Sequence, residues 1–267
     1  MLLFFDIDGT LFDDKRNMPA SVRPALEQAR RNGHYLFVNT GRTLCNMDRR
    51  LDGFPFDGWV MGCGTRILLH GKTLQSLEYD PESSLRLLNL FRALRMPAVY
   101  ECDTALYFDP EGTPHPALPF FRRFAEDHRL ARDITENDPE FRIVKMFAFS
   151  ENPEPVLHLC SETVKLGMPY SFIDRGNGGW ELVPDGYSKA SGIDRICREL
   201  GASTEECFAF GDSRNDLSML LHVKYSIAMG NAPDDVKAQC FHVTERPEKD
   251  GIAAAMRKFG IISSDPV

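Results

Sequence analysis

The sequence has no long apolar segment, no excess of basic residues and no recognisable export signal. No apolar run approaches the roughly 18 residues that span a bilayer, so a membrane protein is not expected. The chain carries 31 basic and 39 acidic residues, a formal net charge of −8, which argues against general binding to nucleic-acid phosphates. Because the N-terminus lacks a basic segment and a cleavage site, we expect a cytoplasmic protein.

The residue spacings of a zinc site or of a disulfide framework are also missing. The seven cysteines are odd in number and include no C-x-x-C pair, so we expect reduced thiols in a reducing compartment. The seven histidines are scattered and lack the short spacing of paired ligands. A zinc site is therefore not expected.

What the sequence does contain is an alternation of short apolar runs and amphipathic stretches. Its 267 residues fit one large or two medium domains. Residues 1–81 and 185–267 alternate strand and helix patterns, which predicts the α/β class with a doubly wound parallel sheet. Residues 82–184 show a mixed pattern typical of an α+β domain with an antiparallel sheet. We therefore predict that this second domain is inserted into the first.

The first ten residues are the most informative stretch. The apolar run of residues 1–5 predicts a strand buried on both faces, and Asp6 and Asp8 follow it directly. Open α/β sheets bind ligands at this end of their strands. Two close carboxylates repel each other and are costly to desolvate, and Mg²⁺ would relieve that conflict. On this stretch alone, an ordinary acidic Asp-Gly turn stays open as the alternative.

Polar side chains follow two further predicted strands. Thr40 comes after the apolar run of residues 35–38, and Asp212 after that of residues 207–210, with Asn215 and Asp216 one turn later. Lys189 lies near the start of a predicted helix. Because the carboxyl ends of parallel strands share one edge of a sheet, these groups are expected to converge on one crevice.

This set of groups is suited to phosphoryl transfer. Asp6 and Asp212 can hold Mg²⁺, with waters completing its coordination. One carboxylate can attack phosphorus and form an aspartyl-phosphate, while Asp8 protonates the leaving alcohol and later activates water. Thr40 and Lys189 can hold the phosphate oxygens.

Four motifs, in this order, resemble those of the haloacid dehalogenase superfamily. They are Asp6-x-Asp8-Gly9-Thr10, Thr40-Gly41-Arg42, Lys189 and Gly211-Asp212-x-x-Asn215-Asp216. The insertion resembles the α/β cap of the Cof-type sugar-phosphatase branch. So do three shorter stretches, which are Gly186-Tyr187-Ser188-Lys189, Ala228-Met229-Gly230-Asn231-Ala232 and Asp250-Gly251-Ile252-Ala253. The resemblance covers nearly the whole chain.

The resemblance implies a Rossmann-like core, a specificity cap and a role for each motif residue. Asp6 would be the nucleophile and Asp8 the acid/base. The metal site would consist of Asp6, Asp212 and the main-chain carbonyl of Asp8, with Asp216 supporting it. The phosphoryl group would be bound by Thr40, Lys189 and Asn215. The second acid, Asp8, favours a phosphatase over a dehalogenase.

The sequence departs from the family pattern at three positions. Asn39 replaces a usual Thr or Ser, and little effect is expected. Cys63 stands where the family has Asn before Gly, and Pro247 stands where it has a late Asn. The last two changes alter groups near the rim of the site, but they touch no proposed catalytic residue.

Three further residues are candidates for substrate contacts, namely Arg42, Lys145 and Trp180. Each also has a structural interpretation, as an ion pair, a solvated residue or a packed residue. We favour a Mg²⁺-dependent phosphatase of small phosphorylated metabolites, with sugar phosphates as the first class. The alternatives are phosphoryl transfer of the phosphomutase type and binding of a phosphosugar without turnover. A small phosphate ester is the expected partner, with no nucleic acid and no membrane, and the oligomeric state stays open, although the motifs require no second subunit.

Overall fold

The computed structural model describes residues 1–135 and 137–263, and their contacts divide the chain into two compact units. The first unit contains Met1–Gly41, Asp48–Gln75 and the chain from Ser188 onward. The second contains Arg42–Met47 and Ser76–Tyr187. The short segment Arg42–Met47, which the sequence pattern placed in the first domain, thus groups with the second unit.

Strands and α-helices alternate through most of the described chain. The strands are β1 (Leu2–Phe5), β2 (Tyr35–Asn39), β3 (Gly58–Met61), β4 (Arg66–Leu69), β5 (Lys72–Ser76), β6 (Ala98–Cys102), β7 (Leu106–Phe108), β8 (Ala131–Asp133), β9 (Ile143–Phe149), β10 (Tyr170–Gly176), β11 (Gly179–Pro184), β12 (Cys207–Gly211), β13 (Tyr225–Ala228) and β14 (His242–Val243). The helices are α1 (Val22–Arg31), α2 (Pro81–Ala93), α3 (Leu118–Asp127), α4 (Pro153–Lys165), α5 (Lys189–Leu200), α6 (Leu217–Leu220), α7 (Asp234–Lys237) and α8 (Gly251–Lys258). Among the described helices, none has both the length and the apolar character needed to cross a membrane.

The sheet of the first unit has the strand order β14-β13-β12-β1-β2-β3-β4-β5. Neighbouring strands from β14 to β3 are parallel, and β4 runs antiparallel to β3. Parallel neighbours require crossover connections, and helices supply several of them here. The predicted α/β class with a parallel sheet is confirmed, and β4 adds a strand that is antiparallel to β3.

Side chains of β1 alternate between two apolar layers. Leu2 and Phe4 pack with Ile193 of α5 in one buried cluster. Phe5 points the other way and stacks on Phe210 of β12, with ring centroids 4.7 Å apart. Burial on both faces explains why the run is entirely apolar, and it fixes β1 at the centre of the sheet.

The second unit has its own sheet, in the order β10-β11-β9-β6-β7-β8. Its strands are antiparallel except for β7 and β8, which pair in parallel. Helices α2 and α4 contribute Phe91 and Leu159 to a cluster on one face. On the other face, α3 contributes Ala125 to a smaller cluster with Val99 and Phe149. The predicted antiparallel α+β pattern therefore has one parallel pair at its edge.

Candidate active site

Strand β1 carries Asp6 to the carboxyl edge of the first unit's sheet. The Asp6 N–H donates to the carbonyl of Phe210 at 3.0 Å, which continues the pairing with β12. Asp6 is only 5 % exposed, whereas Asp8, two residues later, is exposed. The two acids of the first motif therefore have different environments, one buried in the site and the other open to solvent.

A tight turn after β12 holds the second pair of carboxylates. Asp216 is fully buried, and its Oδ2 accepts the main-chain N–H groups of Asp212 and Ser213, both at 2.9 Å. Asn215 is buried in the same turn, and its Oδ1 accepts a hydrogen bond from the Ser213 hydroxyl. These bonds fix the side chain of Asp216 and the main chain at Asp212.

Lys189 forms ion pairs with both Asp6 and Asp216. It is the first residue of α5, whose N-cap Ser188 accepts the N–H of Ser191. The Lys189 ammonium is 2.6 Å from Oδ1 of Asp6 and 2.5 Å from Oδ1 of Asp216. Lys189 is 1 % exposed, so it is a buried bridge rather than a solvated helix lysine. The structure thus brings Asp6, Lys189 and Asp216 into one cluster.

Carboxylate oxygens of Asp6, Asp212 and Asp216 lie within 4.8 Å of one another. When all three carboxylates are ionised, they and the ammonium of Lys189 carry a net charge of −2. One divalent cation would balance this charge. Oxygen ligands of this kind suit Mg²⁺. The residues present therefore fit the metal that the sequence predicted.

Burial and mutual repulsion raise the pKa values of two of these acids. Burial raises the pKa of Asp6 to about 7, although the ammonium of Lys189 acts to lower it. Burial, then Asp216 and Asp6, raise the pKa of Asp212 to about 8. Burial opposes the charge of Lys189, but Asp216 and Asp6 raise its pKa above the ordinary value. A bound cation would favour the charged form of both acids.

Three residues that hold the site in place had no role in the sequence prediction. The Thr10 hydroxyl donates to Oδ1 of Asp212 at 3.0 Å. The Asn231 amide donates to the carbonyl of Gly9 at 2.9 Å, and Asn39 donates to the carbonyl of Lys189 at 2.9 Å. All three lie within or beside the quoted motifs, but their contacts join elements that are far apart in sequence, which spacing does not show.

Thr40 and Cys63 meet where β2 and β3 end. Thr40 is buried, its N–H donates to the carbonyl of Val60, and its carbonyl accepts the N–H of Cys63 at 3.1 Å. Cys63 is buried in a left-handed conformation with φ 55°. Asn and Gly adopt this conformation more readily than Cys, which explains why the family pattern has Asn there. Pro247, the other departure, is buried in a single 3₁₀ turn.

The predicted substrate residues Arg42, Lys145 and Trp180 all belong to the second unit. Lys145 is 3 % exposed, and its ammonium lies 2.7 Å from both Glu101 and Glu181. Arg42 is mostly buried and donates to the carbonyl of Asn46 at 3.1 Å. Trp180 packs in the core on the other face of β11, and its indole N–H donates to a main-chain carbonyl.

The chain is similar to known hydrolases. A sequence model of haloacid dehalogenase-like hydrolases matches residues 3–256. The chain belongs to this family of hydrolases. The match includes all of the site residues described above, so the family assignment and the acidic cluster rest on the same part of the chain.

Relatives in this hydrolase family act on different phosphate esters. Pyridoxal phosphate phosphatase YbhA of Escherichia coli (strain K12) is 28 % identical over 273 residues, covering 94 % of this chain and 96 % of that protein. HMP-PP phosphatase of Klebsiella pneumoniae (strain 342) is 27 % identical over 254 residues, covering 91 % and 88 %. The solved structure of the subclass IIB sugar phosphatase BT4131 has a TM-score of 0.80 and 26 % identity, covering 98 % and 99 %. The fold is therefore shared along nearly the whole chain.

Gly9 is a position where the site admits no side chain. Its φ is +81°, and a Cβ there would overlap the carboxylate of Asp212. We expect Gly9→Ala to displace Asp212 and reduce hydrolysis of phosphate esters by about 100-fold or more, since small displacements of reacting groups cost that much. Steady-state phosphate release measures the loss.

Gly33→Ala is the matched control, because Gly33 has a φ of +83° with no atom within 4 Å of its ideal Cβ. This variant should lose about 1 kcal/mol of stability to backbone strain and keep its activity. Equal losses of activity in the two variants would show that strain, rather than the clash with Asp212, is responsible.

Proposed function

We propose that this hydrolase is a Mg²⁺-dependent phosphatase of small phosphorylated metabolites, and sugar phosphates are the class we favour. The observation that carries the proposal is the cluster of Asp6, Lys189, Asp212 and Asp216, with the exposed acid Asp8 two residues from Asp6. Binding of a phosphate ester without turnover needs no such acid. A hydrolytic reaction needs a group that gives and takes a proton beside the nucleophile.

In the proposed reaction, an Asp6 oxygen attacks phosphorus and the bond from phosphorus to the alcohol oxygen breaks. Asp8 gives its proton to the departing alcohol. A water then attacks phosphorus, Asp8 takes a proton from this water, and the Asp6 carboxylate is restored with release of phosphate. Mg²⁺, held by Asp6, Asp212 and the main-chain carbonyl of Asp8 with Asp216 beside it, would offset the charge of the phosphate group.

Thr40, Lys189 and Asn215 are proposed to hold the phosphoryl oxygens. Lys189 suits this role as a compact cation, since its ammonium has already lost its solvent shell. Thr40 and Asn215 are buried at the ends of β2 and of the turn after β12, and both offer neutral hydrogen-bond donors.

Substrate selection is assigned to the second unit, in which Lys145 and Arg42 are proposed contacts. Lys145 lies between Glu101 and Glu181 on one face of the sheet, and Arg175 pairs with Glu181 at 3.3 Å. Ammonium and carboxylate groups side by side suit the vicinal hydroxyls of a sugar, which both donate and accept. Trp180 lies in the core on the opposite face, so we assign it to packing.

The test is release of phosphate from a panel of esters, with Mg²⁺ and with EDTA. The buffer contains a reducing agent, because we predict a cytoplasmic location. The panel contains hexose, pentose and erythrose phosphates, pyridoxal phosphate, nucleotides and an aryl phosphate. We expect release that requires Mg²⁺ and is fastest with a sugar phosphate. Conversion of a hexose 1-phosphate to its 6-phosphate would favour phosphoryl transfer between hydroxyls, and tight binding without turnover would favour the binding protein.

A further inference from the structure

The second unit contains a cavity of about 270 Å³ that the proposed reaction does not use. It lies among the end of α2, the strands β6 and β7 and the start of α3. Every residue that lines it belongs to the second unit, and none is among the candidate catalytic, metal or substrate residues. Its size is just below the usual range for pockets that hold small ligands, so it is suited to a single ring.

The walls of this cavity are mainly apolar and aromatic. Tyr100 and Phe108 present rings, while Met96, Leu118 and Pro119 present aliphatic groups. Flat apolar walls of this kind favour a planar ligand, since rings gain from stacked and edge-on contacts beyond the burial of area.

The wall also contains Tyr100, which interacts electrostatically with Asp109 and Arg92. Tyr100 is 2 % exposed, and its ring packs edge-on against Phe91 and Phe141. Among the described residues, no hydrogen bond engages its hydroxyl, whereas the hydroxyl of the neighbouring Tyr107 donates to Asp138 at 2.8 Å. Burial raises the pKa of Tyr100, so the hydroxyl keeps its proton. It is a hydrogen-bond donor in the wall of the cavity, where a ligand with an acceptor can reach it.

The charged side chains at the cavity are already compensated. Arg92 donates to both oxygens of Asp109, at 2.8 and 2.7 Å, and its third nitrogen lies 3.1 Å from Glu111. Arg122 pairs with Glu126 and Asp133. The start of α3 offers little to an anion either, because its first amides bond to carbonyls of the preceding residues and Pro119 has no N–H. The cavity therefore favours an uncharged ligand.

We propose that this cavity binds a small uncharged aromatic or heteroaromatic ring that accepts a hydrogen bond from Tyr100. The site is separate from the phosphate-ester chemistry and does not depend on it. Its ligand would be recognised by the planar shape of the ring and by one acceptor.

The experiment titrates the full chain, labelled at the methionine methyl groups, with benzamide and follows the methyl signals by NMR. Met96 lines the cavity, whereas Met219 is buried in the core of the first unit and serves as the internal control. We expect a saturable shift of the Met96 signal and none of the Met219 signal. Benzoate, the charged analogue, should bind more weakly than benzamide.

Variants separate the hydroxyl from the cavity itself. Tyr100→Phe should weaken benzamide binding about fivefold, the usual effect of one neutral hydrogen bond, and leave toluene binding unchanged because toluene has no acceptor. Tyr170→Phe removes another buried tyrosine hydroxyl of the same unit that does not line the cavity, and it should change neither. Ala98→Leu should fill the cavity and weaken both ligands.

Three results would overturn the proposal. They are the absence of a saturable Met96 shift, tighter binding of benzoate than of benzamide, and benzamide binding that is the same in Tyr100→Phe as in the unaltered protein. The conservative tyrosine variant keeps the test decisive if Ala98→Leu does not fold.

Discussion

Asp6→Asn is expected to lower phosphate release by about 10⁴-fold or more, because the amide cannot attack phosphorus as the carboxylate does. Asp8→Asn should cost about 10²- to 10⁴-fold, the usual contribution of a general acid or base. The unequal losses follow from the two roles. Rates of phosphate release with saturating Mg²⁺ and the best ester of the panel measure both effects.

The loss in Asp6→Asn should not come from unfolding. The pKa of Asp6 is about 7 in the folded protein, above its ordinary value of 3.8, so the folded state holds this proton more tightly than the unfolded state. Between these two pKa values, stability falls as pH rises, because Asp6 ionises in the unfolded chain but keeps its proton in the folded protein. In EDTA at about pH 8, Asp6→Asn should therefore unfold at the temperature of the unaltered protein or higher.

An exposed acid provides the control for the two active-site variants. The side chain of Asp234 in the first unit is fully exposed and pairs only loosely with Lys237, at 3.7 Å. Asp234→Asn should keep full activity. Full activity in Asp6→Asn, in contrast, would be incompatible with Asp6 as the nucleophile.

Lys189→Met is the second change with a large expected effect, and here stability should fall as well as activity. Removing the ammonium leaves Asp6 and Asp216 buried side by side without their common partner. Breaking a buried ion pair from one side typically costs about 3–5 kcal/mol. Urea unfolding in EDTA at about pH 8 should show a loss of this size, and phosphate release should be undetectable.

The dependence on pH distinguishes this explanation from a general packing defect. Without Lys189, the pKa of Asp6 should rise further, since the ammonium that acts to lower it is gone. The folded variant then gains protons that the unfolded chain gains only near pH 4, so its stability should recover as pH falls from about 8 to about 5. A packing defect would give the same loss at both pH values.

Lys224→Met is the matched control for this variant. Lys224 is also in an ion pair, with Glu205 at 3.3 Å, but its side chain is 47 % exposed. Exposed ion pairs contribute about 0–1 kcal/mol, so this variant should retain most of its stability and all of its activity. A similar loss of stability and activity in both variants would contradict the claim that the effect of Lys189→Met comes from its buried ion pairs with Asp6 and Asp216.

The sequence predicted the elements whose pattern is local. The apolar run of β1 shows both its burial and the place of Asp6, because a strand at the centre of a parallel sheet has no polar face. The order of strands and helices likewise indicated the parallel sheet. The positions of the motifs along the chain predicted that Asp6, Lys189 and Asp212 lie at the same edge of the parallel sheet.

Other features depend on information that one sequence does not carry. Strand β8 is three residues long and polar at an edge, so no alternation marks it. The burial of Lys145 follows from the register that sets Glu101 directly opposite it, and register is a property of two strands together. The left-handed conformation of Cys63 was also invisible, since that residue type gives no signal of positive φ.

The central claim is that Asp6 becomes phosphorylated during turnover, and rapid quenching of Asp8→Asn with the aryl phosphate of the panel tests it most directly. An aryl leaving group departs without a proton from Asp8, whereas hydrolysis of the intermediate still lacks the group that activates water, so this variant should accumulate the intermediate. We predict that intact-protein mass spectrometry finds one added phosphoryl group, that peptide analysis locates it on Asp6, and that Asp6→Asn shows none. Release of one equivalent of the aryl leaving group from Asp8→Asn with no phosphoryl group on the protein would contradict the account.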